Sequence, residues 1–311
     1  MAPRIAIPET DLVVHPLCLG GNVFGWSADE EESFAVLDAY VAAGGNFIDT
    51  ADVYSEWKPG NQGGESESII GRWMKSRGNR SEMVIATKVA KLSTRPGLSP
   101  ENISAALDDS LTRLQTDYID LYYSHEDDAT VPMEQTLLRY TELISVGKIR
   151  YIGASQHTGA RLQEALDISK RDGYASYVAL QDHYNLVARN PFESEQQAVL
   201  EAYGISAIPF FGLARGFLTG KYRPGLTVDS VRADGVVEFQ TEKGWAVVEC
   251  LDHVAKKYGS SISAIALAWL RANPSVSTPI ASARTVAQLH EIVQLVELEA
   301  ADVELLNRVS A

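Results

Sequence analysis

Residues 83–125, MVIATKVAKLSTRPGLSPENISAALDDSLTRLQTDYIDLYYSH, decide the fold. The stretch opens on a short apolar run, Met83–Lys88, rich in residues that suit an extended chain. Ser99-Pro100-Glu101 then reads as a helix start: a hydroxyl cap, followed by a proline at a first-turn position where its missing N–H costs nothing. A second extended run, Tyr118–Tyr123, ends the unit. Strand, helix and strand in that order predict two parallel strands joined by a right-handed crossover.

The same alternation extends in both directions. Towards the N-terminus lies a hairpin, Arg4–Ile7 with Leu12–Val14, turning at Pro8–Asp11. A strand near Pro16–Leu19 follows, then a helix expected to start at a Ser27/Glu30 capping box, with Phe34, Leu37 and Val41 on one face and Gly44-Gly45 at its end. Next come a strand at Asn46–Asp49 and a helix at Ser66–Ser76. Towards the C-terminus the strands are Ile149–Ala154, Tyr177–Gln181, Ile205–Phe210 and Val276–Ile280. The helices are Met133–Val146, Thr158–Asp172, Glu193–Tyr203, Lys243–Tyr258 and Ser261–Ala272, with helical pattern continuing to Val309. Eight strands each followed by a helix predict an α/β (β/α)8 TIM barrel forming one domain over residues 1–311, with an N-terminal β-hairpin and extra C-terminal helices. An open doubly wound sheet is the alternative, but no G-x-G-x-x-G opens a helix.

Composition narrows the function. The chain has 311 residues, 41 acidic against 27 basic, and a net charge of −14, with 45% hydrophobic residues. That supplies a large core and argues against nucleic acid, whose binding needs clustered Lys and Arg. No apolar stretch reaches the ~18 residues of a membrane span, and the N-terminus shows no apolar signal core, so a cytoplasmic protein is expected. Cys18 and Cys250 form neither a disulfide framework nor a zinc pattern, and no metal is expected. Nothing fixes an oligomeric state, and a homo-oligomer stays open.

Barrel enzymes place their chemistry at the C-terminal ends of the strands. Those ends carry Gly20-Gly21, Asp49, Lys88, His125, Ser155-Gln156, Gln181 and Phe210. Singly each has an ordinary explanation: a turn-forming Asp, a solvated Lys, a packed Tyr54, a core His. His125 beside Glu126-Asp127-Asp128 also allows a metal cluster, though no second histidine has ligand spacing. GGNVFGWS, residues 20–27, mimics a P-loop but has Trp26 where Lys is required. Asp49, Lys88 and His125, however, end three successive strands and must lie side by side, within reach of Tyr54. An ammonium beside a phenol is expected to favour the phenolate and lower its pKa, with Asp49 orienting Lys88. Such a tyrosine suits general acid catalysis, and a neutral histidine suits polarising a carbonyl.

FIDTADVY (47–54), VIATK (84–88) and DLYYSH (120–125) together resemble the aldo-keto reductase family. GESESIIG, KIRYIGAS, LQDHYNLV, FFGLARGFLTGKY and PIASARTVAQL are similar to further family motifs in family order, so the resemblance covers nearly the whole chain. It implies the reduction of aldehyde or ketone carbonyls, sugars and other small polar carbonyls among them, with NADPH or alternatively NADH. It further implies that Tyr54 donates the proton, Lys88 with Asp49 tunes it, and His125 orients the carbonyl. Ser155, Gln156 and Gln181 would hold the carboxamide and Phe210 would stack on the nicotinamide. Gly20, Gly21, Asn22 and Asp49 would border the cofactor. Leu213, Arg215, Gly216 and Lys221 would follow the pyrophosphate, with Ser282, Arg284 and Gln288 at the adenosine phosphate, where Arg284 favours NADPH. Trp26 and Trp57 would wall the substrate pocket with Tyr54 and His125. Departures from the family pattern are Gln156 for a frequent Asn, Phe210-Phe211-Gly212-Leu213 for Tyr-Ser-Pro-Leu, and Ile292 for an Asn. Two other functions stay open: a cofactor-binding regulatory or sensor protein of the same fold with low turnover, and a barrel lyase using Lys88 as a Schiff-base amine.

Overall fold

The computed structural model describes residues 3–226, 228 and 234–311. A two-stranded antiparallel hairpin, β1 (Ile5–Ala6) with β2 (Val13–Val14), precedes the barrel. The barrel strands are β3 (Cys18–Gly20), β4 (Phe47–Asp49), β5 (Val84–Val89), β6 (Ile119–Ser124), β7 (Ile149–Ser155), β8 (Tyr177–Gln181), β9 (Ser206–Ala207) and β10 (Ile280–Ala281). All eight pair in parallel, in the order β10-β3-β4-β5-β6-β7-β8-β9. The ring closes between its ends: Ala207 N–H donates to Ser275 O at 2.7 Å, Ser277 N–H to Ala207 O at 3.0 Å and Ile280 N–H to Pro209 O at 2.9 Å. This is the predicted (β/α)8 barrel.

Helices α1 (Glu30–Ala42), α2 (Glu65–Arg77), α3 (Pro100–Leu114), α4 (Met133–Ser145), α5 (Gly159–Asp172) and α6 (Gln197–Tyr203) follow successive strands. α7 (Glu242–Tyr258), α8 (Ile262–Ala272), α9 (Val286–Ile292) and α10 (Ala300–Ser310) complete the layer. α3 starts where expected, with the Ser99 side chain accepting from Asn102 N–H and Pro100 in the first turn.

Two apolar cores follow from strand alternation, which sends successive side chains to opposite faces. One fills the barrel: Phe47, Val84, Ala86, Leu121 and Tyr123 point inward, and Ile7, Leu12 and Val14 from the hairpin join the same cluster. The other, larger core lies between sheet and helices and holds Ile48, Ile85, Ile119 and Tyr122.

Several boundaries differ from expectation, each for a local reason. The capping box of α1 is Asp29 with Glu32 rather than Ser27 with Glu30, because Ser27 and Ala28 both donate their N–H to Val23 O in the preceding turn. β9 stops at Ala207 and does not reach Phe210, since Pro209 has no N–H for the ladder. Val276 makes only an isolated bridge to Ala207, and the last strand is Ile280–Ala281, beyond Pro279. The helix expected at Glu193–Tyr203 begins with a π-wound turn, Phe192–Gln196. The C-terminal helical run breaks into α9 and α10. The segment between them lies on α7 and α8, where Glu299 N–H donates to the Tyr258 hydroxyl and Arg271 to Val296 O.

Candidate active site

The alternation that points Phe47 into the barrel also points Asp49 there, two residues closer to the mouth. In β5 it turns Val84, Ala86 and Lys88 inward and Thr87 outward, to bond Glu67 of α2. Register sets Asp49 opposite Ala86 and Lys88 opposite Tyr123. Asp49 is 1% and Lys88 0% exposed, and a buried charge persists only when paired.

The pairing is complete. Lys88 Nζ donates to Asp49 Oδ2 at 2.7 Å, to Thr50 O at 2.7 Å and to the Tyr54 hydroxyl at 2.8 Å, which engages all three ammonium protons. The Tyr54 hydroxyl in turn donates to Asp49 Oδ2 at 3.2 Å, and Gln181 Nε2 to Asp49 Oδ1 at 2.8 Å. Tyr54 is delivered by a tight turn in which its N–H donates to Ala51 O, and the next residue anchors the loop through Ser55 Oγ to Phe24 O at 2.7 Å. The His125 ring stands edge-on to Tyr54 with centroids 6.0 Å apart, and its buried Nδ1 has no hydrogen-bond partner among the described residues.

The expected tuning of Tyr54 is reversed in this environment. Burial, then the charge of Asp49 and its hydrogen bond, hold the Tyr54 phenol well above its usual value. The ammonium does not win, because it is itself neutralised by Asp49 and pulled down by burial. Burial, then the charges of Lys88 and Lys91, keep His125 well below the usual histidine value and therefore neutral.

Around this corner opens a cleft of about 1050 Å³. It is lined by Gly20, Asn22, Asp49, Tyr54, Trp57, His125, Ser155, Gln156, Gln181, Phe210, Leu213, Arg215, Gly216, Lys221, Ser282, Arg284 and Gln288, all anticipated from the sequence. Gly21 and Lys88 lie beneath the lining. Gly21 donates its N–H to Asp49 O at 2.7 Å, and a side chain there would meet Ser66. Trp26 does not line the cleft; it packs edge-on against Trp57, 5.6 Å away, and Trp57 leans on Tyr54 at 6.1 Å.

The long arm of the cleft is less closed upon itself. Ser155 Oγ is buried without a hydrogen-bond partner among the described residues. Gln156 is not free as expected: its Nε2 donates to His125 O at 3.0 Å and its Oε1 accepts from Lys91 at 3.2 Å. Phe210 stacks on His183 with centroids 5.8 Å apart. Ala214, Arg215 and Gly216 all have positive φ, and the Arg215 guanidinium lies over Phe211 and 3.6 Å from Glu238. Ser282 Oγ donates to Asn22 Oδ1 at 2.6 Å. A side chain at Gly20 would meet Ser282 Oγ at 2.5 Å, so the close approach of these strands needs glycine. Gln288 Oε1 accepts from the Arg284 backbone N–H at 3.0 Å, and the Arg284 guanidinium, on the cleft wall, has no partner among the described residues.

The acidic run after His125 disperses. Glu126 pairs with Lys91, Asp127 with Arg161, and Asp128 accepts from Leu98 and Thr130. A Schiff base on Lys88 has no support in this geometry, since the amine is buried and fully engaged.

Sequence reasoning missed Lys91 on the cleft wall, weighed Glu126 there only as a metal ligand, and missed the buried Asp52. Asp52 is buried with both side-chain oxygens without a hydrogen-bond partner among the described residues; burial and the neighbouring Glu67 push it up to about 7. An acidic residue within a run of buried positions was the available signal.

A family model for the aldo/keto reductases matches residues 16–311. The chain belongs to that family. Among similar proteins is an uncharacterized oxidoreductase, YrpG, of Bacillus subtilis, 34% identical over 93% of this chain and 90% of the relative. A probable voltage-gated potassium channel subunit beta of Oryza sativa is 32% identical over 93% and 90%. A norsolorinic acid reductase, stcV, of Emericella nidulans is 30% identical over 97% of this chain and 79% of the relative. Among the described residues no helix is long and apolar enough to cross a membrane.

Proposed function

We propose that this aldo/keto reductase reduces aldehyde or ketone carbonyls to alcohols with NADPH. The observation that carries the reading is the closed corner around Tyr54: Lys88 spends all three protons on Asp49, Thr50 O and Tyr54. The Tyr54 proton, held on Asp49 Oδ2 by a longer bond of 3.2 Å, would turn to a carbonyl oxygen placed between Tyr54 and the His125 ring.

The cofactor would supply the hydride. The residues present fit it. The buried, unpartnered Ser155 Oγ and the Gln181 amide suit a carboxamide, Phe210 offers a flat apolar face, and Arg284 offers an unpaired fork to a phosphate. A cleft of about 1050 Å³ has room for a dinucleotide and a small substrate.

Neutral His125 donates a hydrogen bond that orients and polarises the carbonyl. As negative charge gathers on that oxygen, Tyr54 passes it the phenolic proton. The raised phenol pKa keeps this proton in place at neutral pH, and an alkoxide is basic enough to take it. Lys88, 2.8 Å away, stabilises the phenolate left behind, while Asp49 balances Lys88.

The test is a panel of aldehydes, ketones and sugars mixed with protein and NADPH while nicotinamide absorbance is followed. Carbonyl-dependent loss of absorbance is expected. Cofactor binding without turnover would instead favour a regulatory sensor, a reading suggested by the relative named as a channel subunit.

A further inference from the structure

At the carbonyl end of the cleft, three residues form a small charged rim that the proton-transfer chemistry does not use. Lys91 Nζ lies 3.2 Å from Glu126 Oε2 and 3.2 Å from Gln156 Oε1. Gln156 is fixed from its other side by its bond to His125 O, so the rim is tied to the residue that would orient the carbonyl. All three line the cleft.

Two features indicate that Lys91 is placed rather than incidental. The residue before it, Ala90, is fully buried and adopts φ +118°, a backbone region that side chains with a Cβ rarely enter. Such strain persists where the surroundings enforce it and clusters at ligand-binding positions. Gln156, against which Lys91 rests, also has positive φ, at +53°. Moreover, the charge of Lys91 reaches the His125 ring and helps to keep it neutral. The other cleft-lining cations, Arg215, Lys221 and Arg284, belong to segments that would follow the cofactor. Lys91 is thus the accessible cation beside the reacting carbonyl among the described residues.

Its present counter-ion is easily displaced. The Glu126 side chain is 46% exposed against 29% for Lys91, and ion pairs this open to water contribute little. A substrate anion held on a bound carbon framework would replace Glu126 at high effective concentration.

We propose that Lys91 is a specificity-determining residue that receives a carboxylate, so that the preferred substrates are carbonyl compounds bearing an acid group. The proposal rests on the carbonyl-reductase reading. It is tested by comparing 4-formylbenzoate with its neutral isostere 4-formylbenzamide, using NADPH and the full chain. Wild type should favour the acid about tenfold in kcat/KM, the scale of one partly exposed charge-assisted hydrogen bond. Lys91→Met should bring that ratio to about one, Lys91→Arg should keep it, and Glu126→Gln should raise it. A wild-type ratio near one, or a ratio that survives Lys91→Met, overturns the proposal. If neither aldehyde is reduced, the reductase reading fails, and equilibrium binding of benzoate against benzamide to NADP+-loaded protein decides the role of Lys91. Tighter benzoate binding that Lys91→Met abolishes supports it, and equal binding refutes it.

Discussion

The two ends of the cleft are built on opposite plans. At the carbonyl end, Asp49, Tyr54, Lys88 and Gln181 satisfy one another through four hydrogen bonds, with Asp49, Lys88 and Gln181 on strands at the barrel mouth and Tyr54 on the turn after β4. Along the long arm, Ser155 Oγ and the Arg284 guanidinium lack partners among the described residues, and the chain from Phe211 to Gly216 runs through positive φ at four positions. The first region is organised before any ligand arrives. The second has polar groups whose partners a ligand would supply. Under the proposed function, the contrast separates a site for chemistry, where misplacement would cost rate, from a site for binding, where loss would cost affinity.

That division can be broken by mutation. Lys88→Met should have the largest effect, lowering kcat/KM by roughly a thousandfold, because it removes the charge that supports Tyr54 and strands Asp49 unpaired. Steady-state kinetics with thermal unfolding would check it, and a loss confined to KM would contradict the plan. Arg284→Ala should leave the chemistry standing but weaken NADPH about tenfold or more, with little effect on NADH; fluorescence titration with both cofactors measures this, and equal losses would sink the assignment.

Asp52 sharpens the comparison from below. Its carboxyl is raised from the ordinary 3.8 to about 7, chiefly by burial. The folded state therefore holds this proton more tightly than the unfolded chain, and the contribution to stability, full below pH ~4, is lost as pH rises through about 7. Asp52→Asn should stabilise the protein at pH 8 by on the order of 2 kcal/mol, with the gain vanishing near pH 4. Denaturant melts at the two pH values would show it. The smallest effect concerns His125: because burial and two lysines hold it neutral, kcat/KM should show no histidine-like limb between pH 6 and 8. A limb near 6.5 that disappears in His125→Gln would contradict this.

Much of this arrangement could be read from the chain. Strand ends are short and apolar, so Asp49, Lys88 and His125 stood out, and period-2 alternation put the first two on the inner face. Boundaries failed where a distant contact or a missing N–H decided them: Val23 O displaced the cap from Ser27 to Asp29, and Pro209 cut β9 short. The direction of the Tyr54 shift was illegible because it depends on burial and on Asp49 sharing one oxygen between Lys88 and Tyr54. Lys91 escaped notice because its importance comes from Gln156 and Glu126, which lie on other loops.

The most direct test of the account is Tyr54→Phe, assayed at once for carbonyl-dependent NADPH oxidation and for NADPH binding. The substitution removes the phenolic hydroxyl, and with it one of the three acceptors of Lys88, while leaving the long arm of the cleft intact. Turnover should fall by roughly a thousandfold or more while the NADPH Kd stays within about threefold. Turnover within tenfold of wild type would contradict the assignment of Tyr54 as the proton donor.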